Sequence, residues 1–260
     1  MKLTEQSIRI REAILKASHH SGHGHIPTSF SIIECILAVY GSMRHSPADI
    51  RDKNRDIFIL SKGHGALGYY AVLAELGYID YIELNTFGQY NSKLGCHADR
   101  FKIPGVEVST GSLGHGIGVS VGMALAAKIS KSNQKVYTLI GDGESNEGSV
   151  WEATMVAANL KLDNLTIIYD DNKSQGRCLP VPTPVDKFTS FGCEVALVNG
   201  HDVSALQRAF RDFRSDKPKV IVADTQKGFG CKTLVENVYE WHRRSPKNDE
   251  LSVLLGELHA

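Results

Sequence analysis

The chain of 260 residues carries 29 basic and 29 acidic side chains, so its formal net charge is zero, and 42% of it is hydrophobic. That length and apolar content suit one large domain over 1–260 with a full core, while the charge balance disfavours nucleic acid or an anionic membrane as a partner. No apolar stretch approaches the ~18 residues of a membrane span, the polar start is not a signal peptide, and five cysteines without a CxxC pair suit reduced thiols in a cytoplasmic protein.

Residues 4–18 read as an opening helix. The following loop holds His19, His20, His23 and His25, four histidines in seven positions. Glycines separate them, and no Cys or carboxylate joins at zinc-like spacing. A loop that offers imidazoles to a polar ligand is therefore a better reading than a structural metal site; His19, His20 and His23 have no assigned role. Residues 30–42 form an amphipathic helix with Ile32, Ile33, Ile36, Leu37 and Tyr40 on its apolar side. A charged connector, Asp49 to Arg55, leads to a strand over 56–60. Ser61-Lys62-Gly63-His64-Gly65 is then a polar, Gly-rich turn, and the helix after it ends at Gly77, a good left-handed cap.

Residues 80–87 read as a short helix. From Gln89 to Ser109 no regular period is visible, and a loop of that length in a compact domain is usually functional or disordered. It contains Cys96-His97-Ala98-Asp99. Thr110-Gly111-Ser112-Leu113-Gly114-His115-Gly116 opens a helix to about Ile129. Gly116, Gly118 and Gly122 would cost a lone helix stability and suit close backbone contact with another element.

The stretch from Lys135 to Gln175 organises the rest. A strand over 135–140 stops at Gly141-Asp142-Gly143. A helix-compatible segment runs from Ser149 to Leu160, and a second strand over 165–169 ends at Asp170-Asp171-Asn172. One βαβ unit requires parallel strands, which puts Asp142 and Asn172 at the sheet edge where open α/β folds bind ligands. A carboxylate, an amide oxygen and nearby carbonyls make an all-oxygen set short of ligands. Such a set suits Mg²⁺ completed by phosphates and water. Taken alone, Gly-Asp-Gly also reads as a βα turn followed by an unrelated polar loop. A calcium loop fits worse, because Glu147 stands where an EF-hand needs Gly. Farther on, 185–191 is a short helix, 194–198 a strand, 203–214 an amphipathic helix, 219–223 a strand and 247–258 a last helix. Five strands separated by helices predict an α/β fold: a doubly wound, mostly parallel sheet with helices on both faces.

Gly-Asp-Gly with an Asn thirty residues beyond the Asp resembles the thiamine diphosphate motif. The string from Gly141 to Ala153 resembles that of transketolases, and more narrowly of the N-terminal subunit of split, two-chain transketolases. The resemblance extends over nearly the whole chain. It implies the diphosphate-type domain of the thiamine diphosphate-binding fold, with Mg²⁺ on Asp142, Asn172 and the carbonyl of Ser174. His64, Gly111, Leu113, Asp142, Gly143, Asn172 and His242 would hold the cofactor. His25, His97 and His242 would face the substrate, and Glu147, with Glu152, would join a network between paired active sites. Cys96 and Ala98 depart from the family's Gly-His-Pro-Glu or Gly-His-Pro-Asp. Ser174 and Gly176 replace bulky aliphatics, and Arg243 replaces the Gly of Trp-His-Gly.

The resemblance further implies transfer of a two-carbon ketol unit from a ketose phosphate to an aldose phosphate. The pyrimidine-binding and C-terminal domains, with the glutamate that activates the cofactor, would lie on a separate chain, in an α2β2 assembly inactive without it. Two alternatives stand beside this: the α subunit of another thiamine diphosphate enzyme such as a 2-oxo acid dehydrogenase, and a non-catalytic, partner-binding relative.

Overall fold

The computed structural model describes residues 3–260. Five parallel strands, β1 (Ile57–Leu60), β2 (Val136–Gly141), β3 (Leu165–Asp171), β4 (Glu194–Asn199) and β5 (Lys219–Asp224), pair in the order β1-β2-β3-β5-β4. Each strand lies within two residues of its expected span. The three middle strands are buried on both faces and read as near-continuous runs of apolar residues, as a helix-covered parallel sheet requires.

The strand side chains alternate between two cores. One takes Phe58, Leu60, Tyr137, Leu139, Ile168 and Ile221. Against them pack α1 (Glu5–Ser21), α2 (Ile26–Ser31), α3 (Ile33–Tyr40), α4 (Ala66–Glu75), α8 (Val203–Asp212) and α10 (Asn248–Glu257). The other takes Val136, Ile140, Ile167, Tyr169, Val220 and Val222, and packs under α5 (His115–Ile129), α6 (Gly148–Asn159) and α7 (Pro184–Ser190). Helices cover both faces, as expected.

The helix expected over 30–42 is instead two. The backbone breaks at Ile32 (φ −108°, ψ −1°), so that α2 begins at Ile26 with Pro27 in its first turn. Proline is favoured there because its missing N–H has no intrahelical partner in any case. The Gly-rich turn at 63–65 is a single 3₁₀ turn, and the segment 81–86 is also 3₁₀. A further short helix, α9 (Lys232–Glu236), carries no clear signal in the sequence.

Residues 89–109 are irregular but fastened. The hydroxyls of Tyr69 and Tyr70 on α4 donate to the carbonyls of Gly105 and Gly95, each at 2.9 Å. Arg55 pairs with Glu107. Loops of this length need such side-chain ties, because no ladder supplies their backbone bonds.

A buried ionic group joins the N-terminal helices to the last strands. The Arg11 guanidinium, fully buried, donates to both oxygens of Glu34 (2.7 and 2.9 Å) and to the carbonyl of Phe229 (2.9 Å). His201 Nδ1 donates to Glu34 (3.0 Å), and its Nε2 accepts the N–H of Gln226 (2.8 Å). The Glu34 carboxyl is pulled down to about 2: burial opposes ionisation, and Arg11 and His201 together outweigh it. The group fixes the turn that carries Lys227.

Candidate functional site

The carboxyl ends of β1, β2, β3 and β5 meet at one edge of the sheet. A cleft of about 170 Å³ opens there, lined by Lys62, His64, Leu113, Asp142, Asn172 and His242 among others. A larger, open hollow of about 810 Å³ runs beside it along β4 and β5 and shares Asn172 and Ser174. The smaller one gathers the chemistry.

Asp142 and Asn172 face each other across adjacent strand ends, in the register Gly141 opposite Asp170. The Asp142 carboxylate accepts the N–H of Gly143 (2.7 Å) and of Gln175 (3.0 Å). Burial raises its pKa, opposed by those two bonds and by the Lys62 charge. The Asn172 amide nitrogen donates to Asp170 (3.0 Å) and to Ser31 (3.1 Å), and its oxygen accepts the N–H of Ser174 (3.0 Å). The amide is thus fixed nitrogen inward. At Gly143 an added Cβ would stand 2.7 Å from the side-chain nitrogen of Gln175, so that side chain would have to move aside. One carboxylate and one oriented amide oxygen form an oxygen-only donor set that fits a hard divalent cation needing outside ligands.

Beneath this pair lies Asp170, fully buried, which accepts from Lys62, Ser31, Asn172 and Thr225. Lys62 sits at 6% exposure with its charge matched by Asp170. A second lysine, Lys227, donates to Ser174 Oγ (2.7 Å) and to His242 Nδ1 (3.1 Å). Burial, then the neighbouring Lys62, lowers its pKa to about 8. Two ammonium groups converging beside a buried carboxylate make the cleft floor suited to a metal-bound anion.

The four histidines converge. His25 lies edge-on to His64 at 4.8 Å between ring centroids and to His242 at 5.4 Å, and His64 lies edge-on to His97 at 5.6 Å. They come from the loop before α2, the turn after β1, the long loop and the turn at 240–242. His25 is held down to about 3 and His64 to about 4, in each case chiefly by burial and then by neighbouring imidazoles. His242 is lowered by burial and by Lys227. His97 Nδ1 donates to the Gly63 carbonyl (3.1 Å). Gly63 itself presses on the backbone of Gly111, where an added Cβ would stand 2.8 Å from the nitrogen. Leu113 borders the cleft, and Gly111, at φ +133°, lies behind it against Gly63 and His97.

Ala98, where the family has Pro, uses its N–H: it donates to Thr110 Oγ1 (3.0 Å), and Thr110 N–H returns a bond to the Ala98 carbonyl (2.8 Å). Gly176 is an exposed turn residue whose N–H bonds Lys173. Glu147 is not among the converging groups. It stands exposed at the start of α6, outside the cleft, and Glu152 is likewise exposed. Among the other histidines, His19 Nδ1 bonds the Pro246 carbonyl (2.8 Å), and His23 packs on Phe87 and lies 3.6 Å from Cys96 Sγ. Sequence reasoning passes over Lys62, Lys227, Asp170 and Glu144. Lys62 is visible as the one cation of the Ser-Lys-Gly-His-Gly turn; Asp170 and Glu144 carry no local signal apart from adjacency to the motif.

Comparison with known proteins bears on this geometry. Residues 4–256 match the family model described as transketolase, thiamine diphosphate binding domain. The chain belongs to the transketolase family. It is 43% identical to an apulose-4-phosphate transketolase subunit of Actinobacillus succinogenes, over 97% of this chain and 94% of that one. It is 38% identical to 6-deoxy-6-sulfo-D-fructose transketolase subunit SqwG of a Clostridium species, over 88% of this chain and 86% of that one. A crystal structure of a transketolase mutant from Pichia stipitis superposes with a TM-score of 0.89 at 30% identity, covering 96% of this chain and 40% of that chain. The chain therefore spans about two-fifths of the length of that transketolase and nearly the whole length of the two subunits.

Transketolases of known structure share this fold, so the diphosphate-type α/β architecture read from the sequence holds for this family member. Among the described residues, no helix is long and apolar enough to cross a membrane.

Proposed function

We propose that this chain is the cofactor-diphosphate subunit of a two-chain transketolase, transferring a two-carbon ketol unit from a ketose phosphate to an aldose phosphate. The observation that carries the reading is the meeting of Asp142, Asn172, Lys62, His64 and His242 in one cleft, with Lys227, His25 and His97 against its lining residues. That arrangement answers to a metal-bound pyrophosphate lying beside a polyhydroxylated substrate. The relatives named as subunits, matched over nearly their whole length, support a partner chain. That partner would carry the pyrimidine-binding half, in an α2β2 assembly in the cytoplasm.

Asp142, Asn172 and the Ser174 carbonyl would hold Mg²⁺, and Lys62, Lys227, His64 and Gly143 the diphosphate. When bound, thiamine diphosphate supplies the carbanion chemistry at its thiazolium carbon; the protein supplies placement and field. His25 and His64, neutral near pH 7 because they are buried together, can donate or accept a hydrogen bond with a substrate hydroxyl. His97, with Nδ1 tied to Gly63, presents Nε2. His242 accepts from Lys227 at Nδ1, which leaves Nε2–H as donor. Lys227, lowered to about 8 by burial and Lys62, is held more firmly as the ammonium when an anion arrives beside it.

The exposed faces of α5 and α6 carry Val119, Ile129, Met155, Val156 and Leu160, with Gly118 and Gly122 open to solvent. This apolar, small-residue surface, with Glu147 and Glu152 beside it, fits a subunit interface.

The deciding experiment assays the purified chain, alone and with its partner, on a panel of ketose and aldose phosphates with thiamine diphosphate and Mg²⁺. Ketol transfer by the pair and none by the chain alone is the expected result. Decarboxylation of a 2-oxo acid with transfer to lipoamide would select the dehydrogenase reading. Absence of cofactor binding by the pair in calorimetry would leave a non-catalytic relative.

A further inference from the structure

Glu144 follows the Gly-Asp-Gly turn directly and is almost completely buried, at 2% exposure. A carboxylate so placed is costly unless its oxygens are satisfied. Here they are satisfied from three separate segments. One oxygen accepts the Ser61 hydroxyl and the N–H of Gly114 (2.9 Å), and the other accepts the N–H of Gly141 (3.2 Å). Ser61 Oγ in turn accepts the N–H of Ile117 (3.1 Å), in the first turn of α5. Gly116, beside Ile117, comes so near Ser61 that an added Cβ would stand 2.7 Å from it.

The three segments are the three cofactor-facing turns. Ser61 closes β1 and leads into Lys62, Gly63 and His64. Gly114 follows Leu113 at the entry to α5. Gly141 ends β2 and leads into Asp142 and Gly143. We infer that Glu144 is a positioning residue: one buried carboxylate whose hydrogen bonds set the mutual spacing of the three turns that receive the cofactor. This rests on the thiamine diphosphate reading for what the turns receive, and on geometry alone for the spacing.

The chemistry of the bonds makes the charge matter. All three partners are donors, so the network needs two acceptor oxygens. The carboxylate supplies both. An amide of the same shape supplies one acceptor and sets an NH₂ against a donor on the other side. Glu144→Gln is therefore an isosteric change that removes one acceptor from the network.

The test uses the assembled two-chain protein. Hydrogen exchange is followed at the Gly114 and Gly141 amides without cofactor, and thiamine diphosphate is titrated at saturating Mg²⁺. In Glu144→Gln the side that faces the NH₂ loses its acceptor, so at least one of the two amides should exchange about tenfold faster, a loss of about one net hydrogen bond. The cofactor dissociation constant should rise about tenfold or more, while kcat at saturating cofactor stays within a few-fold of the parent. A residue serving stability alone would lower the unfolding temperature and leave the cofactor constant unmoved, and that result overturns the inference. Ser61→Ala removes one donor and leaves the carboxylate in place. It should weaken cofactor binding in the same direction by a smaller factor, and unchanged binding in Ser61→Ala also overturns the inference, including where Glu144→Gln fails to fold. If the parent complex binds no thiamine diphosphate, the cofactor reading fails. The exchange measurement then still decides whether Glu144 sets the spacing.

Discussion

At the Asp142–Asn172 end of the cleft the acceptor oxygens are fixed by backbone N–H groups of their own and adjacent turns. The charged groups under them are paired, as in Lys62 with Asp170. At the histidine end the four rings meet one another edge to face, with His97 tied to the Gly63 carbonyl and His242 to Lys227. The first end is preorganised by short-range backbone geometry and holds formal charge. The second is assembled from four loops distant in sequence, and partial burial lowers the pKa of His25 and His64 within it. An anchor for a multiply charged group needs the first design, because reorganising charge on binding is costly. A surface that reads hydroxyl patterns needs the second, since neutral imidazoles donate and accept.

The largest expected effect comes from breaking the charge pairing beneath the anchor. Asp170→Asn leaves the Lys62 ammonium nearly buried without its counter-charge. Removing one partner of a buried pair costs roughly 3–5 kcal/mol. Urea unfolding of the chain should show a loss of that order. A change below about 1 kcal/mol would mean that Lys62 is matched some other way, and the contrast between the two ends would lose its electrostatic basis.

Next in size is the anchor itself. Asp142→Ala removes the single carboxylate of the donor set and should weaken Mg²⁺-dependent cofactor binding by about 100-fold, at or beyond the 10–100-fold typical of outer partners of a metal ligand. Calorimetry on the two-chain complex reads it directly. Binding as firm as the parent's would remove the metal–pyrophosphate reading altogether.

How much of the molecule is legible in its sequence follows the same division. The anchor is a local motif: a β-run, Gly-Asp-Gly, a helix, a β-run and Asn fix a βαβ unit, and the rules of parallel sheets bring Asp142 and Asn172 to one edge. Short apolar runs likewise placed all five strands, because a strand inside a helix-covered sheet is apolar on both faces. The convergence of His25, His64, His97 and His242 has no local signature. It depends on how loops fold over the sheet edge, and the resemblance to transketolases alone named the residues. The break at Ile32 escaped because residues 26–40 are buried on all sides in the structure, so no face periodicity marked a boundary. Glu144 and Asp170 escaped because a buried carboxylate in sequence is indistinguishable from a solvated one; the Arg11–Glu34–His201 group was hidden for the same reason.

The histidine end offers a third, smaller effect through pH. His25 titrates near 3 and His64 near 4 in the folded chain, against an ordinary 6.5. Between those values the unfolded chain binds more protons than the folded one, so acid favours unfolding. The contribution is fully present above pH 6.5 and is lost as the pH falls toward 4. Glu34, lowered to about 2, adds its own loss only below about 4.5, the ordinary carboxyl range. Urea midpoints at pH 7.5, 6 and 5 should therefore decline for the parent chain and decline less for His25→Gln with His64→Gln. Equal slopes would show that the rings are hydrated and free to charge, and the neutral character assigned to this end would be wrong.

The smallest effect sharpens the comparison at a single peptide bond. Ala98 stands where the family has proline, and its N–H donates to Thr110 Oγ1 while the Thr110 N–H returns to its carbonyl. Ala98→Pro deletes the first bond, worth about 1 kcal/mol, and gains about 0.4–1 kcal/mol by stiffening the unfolded chain where the backbone accepts the ring. These nearly cancel, so stability should change by less than about 1 kcal/mol. The position of His97, one residue earlier, is what moves, because the residue before a proline is driven toward extended backbone. The expected signature is an altered KM for the sugar phosphate with cofactor affinity unchanged. Combining the change with Thr110→Val removes the abandoned hydroxyl, and the stability cost of Ala98→Pro should then shrink. If cofactor affinity moved together with KM, the two ends of the cleft would be mechanically coupled through the Gly63–His97 bond instead of being set independently.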